Sequence, residues 1–246
     1  GMAVQSGVSN RMFRCLADQS VNIFMITTSQ IKISALVARE QAELAIHTVH
    51  RKFELEQASQ PNRQAESPAI TPIANSAEAA NRLHDMEELS ITDIGLDESQ
   101  ASISIEGIPN TPGVAATIFD ATAEAGVVVD MIIQSYLDQD NIASITLTVP
   151  RNDIEKTVDV LQQLTGDFPG EQEILRNPAI AIVSVSGIGM RSHTGVALRM
   201  FQALSDAKIN IEMMNTSEMR VSIVVDSDQA IRAEQVLAQA FADVHH

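Results

Sequence analysis

The chain has 246 residues, 45% hydrophobic, 20% charged and only 3% aromatic, with no tryptophan; that length calls for two or three small cores built from aliphatic side chains. A formal net charge of −16 repels phosphate backbones and anionic lipid, which excludes nucleic acid and membrane surfaces as partners. No apolar run approaches the ~20 residues of a bilayer span and no signal peptide opens the sequence, so a cytoplasmic setting is expected; the one cysteine, Cys15, allows neither an internal disulfide nor a cysteine-based metal cage.

Internal repeats organise the chain. Gly1 to Phe53 aligns without a gap on Gly189 to Phe241, a spacing of 188 residues that superimposes Gly7 on Gly195, Arg11 on Arg199, Phe13 on Phe201, Asn22 on Asn210 and Met25 on Met213. A more divergent copy is centred on Pro112 to Met131, with Gly113, Val114, Phe119 and Met131 in register. The first copy, residues 1–56, lacks the β-branched strand that opens the other two. The expected consequence is a slot in its sheet, because unpaired strand edges recruit strands. A second copy of the chain is favoured to fill it over Ile70 to Ile73, since Pro68 and Pro72 cannot donate to a ladder.

Residues 57–89 read as a linker: Pro61, Pro68 and Pro72 break regular structure, and Ser76 to Leu89 has the composition of a short helix. The middle copy, residues 90–166, spells the unit out. A strand ASISIEG (101–107) leads to a helix from Gly113 to Ala125, then strands VVVDMIIQS (127–135) and IASITLTVP (142–150), then a helix from Asn152 to Leu164. Thr165 to Asn177 is a connector. The last copy, residues 167–246, repeats the order through the strand Ile180 to Gly187, a helix from Val196 to Ala207, INIEMMNTS, the alternating RVSIVVD (220–226) and a helix from Gln229 to Phe241. This is an α+β fold of tandem βαββαβ units, ferredoxin-like, with two helices on one face of an antiparallel sheet. Units of ~70 residues bury little surface alone, so side-by-side packing between them is expected.

Three stretches resemble the C-terminal regulatory region of aspartate kinases, a tandem of ACT domains: Ile91 to Gln134, Val183 to Leu204 and Asn210 to Asp226. The ordered pair ending in the NTSE element is the diagnostic part, since a PGV-helix alone occurs in many ACT modules. The order here, second-type module, linker, first-type module, second-type module, resembles the tail of duplicated aspartate kinases, entered inside a module. No KFGG-type stretch and no GxxxxGK[ST] loop is present, so phosphoryl transfer by this chain is not expected and no catalytic residue is assigned. The resemblance implies a regulatory region that binds lysine, threonine or both and acts on an aspartate kinase catalytic domain; the open slot of the first copy is what favours a homodimer. The alternative is a dimerisation module with vestigial pockets.

An amino-acid receptor needs backbone N–H donors for the carboxylate and an acid or carbonyl for the ammonium. The loop Asn110-Thr111-Pro112-Gly113 enters a helix whose first N–H groups and positive dipole end suit the former. Gly113 lets a ligand approach and Ala115 keeps the first turn small. Asp130, in an otherwise apolar strand, is the expected ammonium partner, and Gln134 falls on the same strand face by the period of two. The resemblance places the effector at a junction of paired modules, which adds Asn210 and Ile211 and, in the first copy, Asn22 and Ile23. Aspartate is common in the family where Asn110 stands here. Neither a metal nor a cofactor is expected: His47 and His50 lack a third ligand, and Cys15 matches Ala203 as a small core residue.

Overall fold

The computed structural model describes residues 8–28, 32–55, 89–137, 141–190 and 195–244. Gly1, the linker with its candidate strand Ile70 to Ile73, and the loop 191–194 lie outside the described residues.

In the first copy, α1 (Val8–Asp18) turns Phe13, Cys15 and Leu16 inward, β1 (Ile23–Thr28) and β2 (Ile33–Val37) form an antiparallel pair, and α2 (Ala42–Lys52) follows a short 3₁₀ turn. Cys15 is buried as expected, and that burial pushes its thiol above the usual range. The middle region supplies β3 (Ser90–Asp97), β4 (Gln100–Pro109), α3 (Val114–Glu124), β5 (Ile132–Leu137), β6 (Ile142–Pro150) and α4 (Ile154–Thr165). The chain continues through β7 (Glu173–Asn177), β8 (Ile180–Ile188), α5 (Gly195–Asp206), β9 (Met213–Thr216), β10 (Arg220–Asp226) and α6 (Ala230–Ala240).

These strands make two sheets. One is six-stranded in the order β2-β1-β5-β6-β4-β7 and the other four-stranded in the order β3-β8-β10-β9. The first copy therefore does not stand alone: β1 pairs antiparallel with β5, Ile26 opposite Gln134 and Thr27 opposite Ile133. Above the sheet, α1 lies against α3, with the Phe13 and Phe119 rings 4.9 Å apart and Arg14 paired with Asp120. One apolar core runs through both copies, from Phe13, Leu16, Ile23 and Ile26 to Ile105, Ile118, Phe119, Ile132 and Ile145. This is the side-by-side packing that the small size of each unit demands. Among the described residues β2 is the outer edge of this sheet, which is where the slot was expected.

The opening strands of the stretches drawn from the sequence as the middle and last copies have changed places. β3, within 90–166, pairs with β8 of the last copy, while β7, within 167–246, pairs with β4 of the middle one. Between β3 and β8 the chain crosses between sheets twice, through Glu98 and Ser99 and back through Pro178 and Ala179. Side-chain size explains one part of this exchange. A Cβ on Gly187 would sit 2.3 Å from the Ser90 carbonyl oxygen, so only glycine lets β3 lie this close to β8. Ile91, wholly buried, then joins the last copy's core beside Val183, Val185, Met200, Leu204 and Leu237.

The helix limits fall within one or two residues of those expected. The second strand of each unit starts later than its apolar run. In the middle copy Val127 to Met131 precede β5, because the ladder bulges opposite Thr148: its carbonyl accepts from Asp130 N and its N–H donates to the Met131 carbonyl, each at 3.0 Å, while Met131 N donates to Thr148 Oγ1 at 3.0 Å and Ile132 N to Thr28 Oγ1 at 2.9 Å.

Candidate functional site at the junction of the first two copies

A small pocket lies where α1 and β1 of the first copy meet the Pro109 to Ala116 segment and β5 of the middle copy. Phe13, Ala17, Val21, Ile108 and Val114 form its apolar wall, and Asn22, Ile23, Asn110, Gly113, Ala115 and Gln134 its polar mouth. Four of the residues named from the sequence, Asn110, Gly113, Ala115 and Gln134, are thus brought together. Asn22 and Ile23 complete them from the neighbouring copy.

Gly113 precedes α3 with φ +99°, a left-handed conformation that costs glycine nothing. It turns the chain into α3, whose first residues Val114, Ala115 and Ala116 line the pocket. The N–H groups of Ala115 and Ala116 have no intrahelical acceptor, as in any first turn. Asn110, only 4% exposed, is held by its backbone, whose N–H donates to the Asn141 carbonyl at 2.9 Å. Its Oδ1 accepts from Asn22 Nδ2 at 3.3 Å, and the same nitrogen reaches the Asn110 carbonyl at 3.3 Å. Gln134, also 4% exposed, donates from Nε2 to the Ile23 carbonyl at 2.7 Å.

These bonds orient both amides, and each leaves its other terminal atom buried without a partner: Asn110 Nδ2, a donor, and Gln134 Oε1, an acceptor. Buried polar groups are nearly always satisfied, since leaving one unmet costs about 1–3 kcal/mol. A donor and an acceptor unmet in one pocket match a ligand that carries an acceptor and a donor of its own. The cavity is about 20 Å³, room for about one water molecule.

The other three residues named from the sequence lie elsewhere. Asp130 does not share a strand face with Gln134, because the ladder is interrupted between them; it lines a separate cleft with Met131, Asp97, Asn215 and Arg220. Asn210, exposed, and Ile211, half-buried, precede β9, the edge of the second sheet among the described residues. Their counterparts Asn22 and Ile23 are covered by a neighbouring module and they are not. Sequence reasoning did not single out Ala17, Val21 or Ile108: the helical spacing of α1 carried a signal for Ala17, but the register shift between Ile105 and Ile108 breaks the alternation of β4 and Val21 lies between elements. Among the described residues no group of His, Cys, Asp and Glu has the arrangement of a metal site, and no helix is long and apolar enough to cross a membrane.

Comparison with known proteins agrees with this architecture. A family model described as the ACT domain matches residues 1–53, 102–164 and 183–241. An aspartate kinase of Stutzerimonas stutzeri is 42% identical over 156 residues, 63% of this chain and 37% of that protein. An aspartokinase of Corynebacterium glutamicum is 34% identical over 159 residues, again 63% and 37%. Among solved structures, the aspartate kinase from Synechocystis superimposes with a TM-score of 0.80 at 35% identity, covering 98% of this chain and 38% of that one. The ligand-free regulatory subunit of aspartate kinase from Thermus thermophilus gives 0.58 at 36% identity, covering 62% of this chain and 99% of that one. The chain belongs to the ACT-domain family. Within it, the tandem is of the aspartate kinase regulatory type. It spans well under half the length of the curated relatives it matches.

Proposed function

We propose that the junction pocket senses a free α-amino acid and that its occupancy sets the relation between the first and middle modules. The carboxylate lies against Asn110 Nδ2 and the first-turn N–H groups of α3, and the ammonium against Gln134 Oε1. The unmet buried donor and acceptor carry this reading. Of lysine and threonine, the lining suits threonine: it includes no ionisable side chain, and a buried ε-ammonium without a counter-charge costs several kcal/mol.

Because the pocket holds about one water, entry requires the Pro109 to Gly113 segment to move away from α1. Ligand therefore binds one arrangement of the modules better than another, which is the condition for allosteric control. The signal passes to an aspartate kinase catalytic domain in a cytoplasmic homodimer, and this chain itself turns over no ATP. Thermal denaturation tests the reading. At 100-fold excess over Kd, threonine should add about 2.7 kcal/mol of stability. No stabilisation and no heat with any of the twenty amino acids would favour the alternative, a dimerisation module with vestigial pockets.

A further inference from the structure

The first and last copies carry nearly the same flank, a helix beside a strand, and the middle copy accepts that of the first. Much of the flank is repeated at the spacing of 188 residues: Phe13 as Phe201, Asn22 as Asn210, Ile23 as Ile211 and Thr28 as Thr216. Matches of this kind do not tell the two copies apart. Two of the differences fall on the contacting helix and change its charge or polarity, Arg14 standing as Gln202 and Ala17 as Ser205.

The two arginines of α1 behave differently. Arg11 and its counterpart Arg199 each stay within their own module, the guanidinium 4.9 Å from the Phe53 ring centre in one and 5.0 Å from that of Phe241 in the other. Both copies keep an arginine at that position. Arg14 instead reaches out of its module and pairs with Asp120 of α3. The Asp120 side chain is only 16% exposed, and apart from this ion pair no hydrogen bond reaches its buried Oδ2. A carboxylate so placed depends on its counter-charge, because removing one partner leaves a charge out of water with nothing to offset it. Gln202 in the same place offers only a neutral amide. Ala17 lies against the entry to α3, its Cβ 3.9 Å from where a Cβ on Gly113 would stand, and belongs to the apolar wall of the junction pocket. Ser205 there would bring a hydroxyl that needs a partner of its own.

The geometry points to Arg14 and Asp120 as the pair that selects which copy occupies the flank of the middle module, admitting the first copy of the same chain and excluding the last copy of another. The choice matters because the two pairings build different assemblies. First copy with middle copy closes within one chain. Last copy with middle copy, between chains, is a head-to-tail contact that every added chain can repeat, and it leads to rings or open fibres. The tether between the first and middle copies favours the closed pairing through effective concentration. The unpaired carboxylate adds a penalty against the open pairing that does not fade as protein concentration rises. This selection is independent of what the junction pocket binds.

Sedimentation velocity on the full chain tests the assignment. One variant exchanges the two positions between copies, combining Arg14→Gln, Ala17→Ser, Gln202→Arg and Ser205→Ala; a second adds Asp120→Asn to that exchange. The exchanged chain should form species larger than those of the unaltered chain, with a weight-average mass at least about twofold higher that grows with concentration. Adding Asp120→Asn should return the mass to that of the unaltered chain, a reversal that aggregation of misfolded protein would not show. An exchanged chain that sediments as the unaltered chain does at every concentration, or larger species that persist with Asp120→Asn, would overturn the proposal.

Discussion

Asn22-Ile23 and Asn210-Ile211 are the same pair of residues in two copies of one unit, yet the molecule treats them differently. In the first copy Asn22 bonds Asn110 and the Ile23 carbonyl accepts from Gln134; Ile23 and Ile26 are 7% and 0% exposed. In the last copy Asn210 is exposed, and Met214, which corresponds to Ile26, is 39% exposed. The difference does not lie in the local sequence. It arises because a middle-type module, with its Asn110 to Gly113 loop and Gln134, lies beside one strand and not the other. One module alone supplies only half of the lining, and the junction pocket is a property of two.

The largest test of this contrast is in the core. Phe13 and Phe201 correspond in the repeat, but Phe13 is 1% exposed against Phe119 and Phe201 is only half-buried. Phe13→Ala should cost about 3–5 kcal/mol and Phe201→Ala roughly 1–2 kcal/mol, measured by urea denaturation. Equal costs would mean that the two copies are packed alike.

Hydrogen exchange sharpens the comparison, because the two copies reverse which strand is interior. β1 is paired on both sides and β2 on one; β10 is paired on both sides and β9 on one. Protection should therefore run β1 above β2 in the first copy but β10 above β9 in the last. If β2 is as protected as β10, a further strand, from a second chain or from elsewhere in this one, covers its edge.

The smallest effect concerns Asp130, which has no acidic counterpart in the junction pocket. Its carboxyl is raised by burial and by Asp97, against the pull of Arg220, so the folded state holds the proton more tightly than the unfolded one. Between the ordinary carboxylate pKa and the raised value, stability must then increase as pH falls. Asp130→Asn should flatten that segment of a melting-temperature profile taken from about pH 4 to about pH 7. A steeper profile in the variant would reverse the sign argued here.

Much of this was legible in the sequence and some was not, for physical reasons. The gapless repeat and the helical spacings located every described helix, and the Asn110 to Gly113 turn with Gln134 marked the junction pocket. The exchange of β3 and β7 was hidden because partner choice depends on the two short crossings at 98–99 and 178–179 and on the space that Gly187 leaves, none of which has a periodicity. EILRN, the β7 sequence, is half polar because it is an edge strand with a mostly solvated face, and it reads as connector. Asp130 was misplaced relative to Gln134 because the period of two holds only along an unbroken ladder. The bulge that breaks this one forms opposite Thr148, on a strand more than a dozen residues away.

Calorimetry with threonine on four proteins tests the central claim most directly: the unaltered chain, Asn22→Ala, Gln134→Met and Asn210→Ala. If the site is made by the first and middle copies together, heat is lost in Asn22→Ala and in Gln134→Met, and Asn210→Ala binds as the unaltered chain does. Threonine binding that survives Gln134→Met, or that disappears only in Asn210→Ala, would contradict the account.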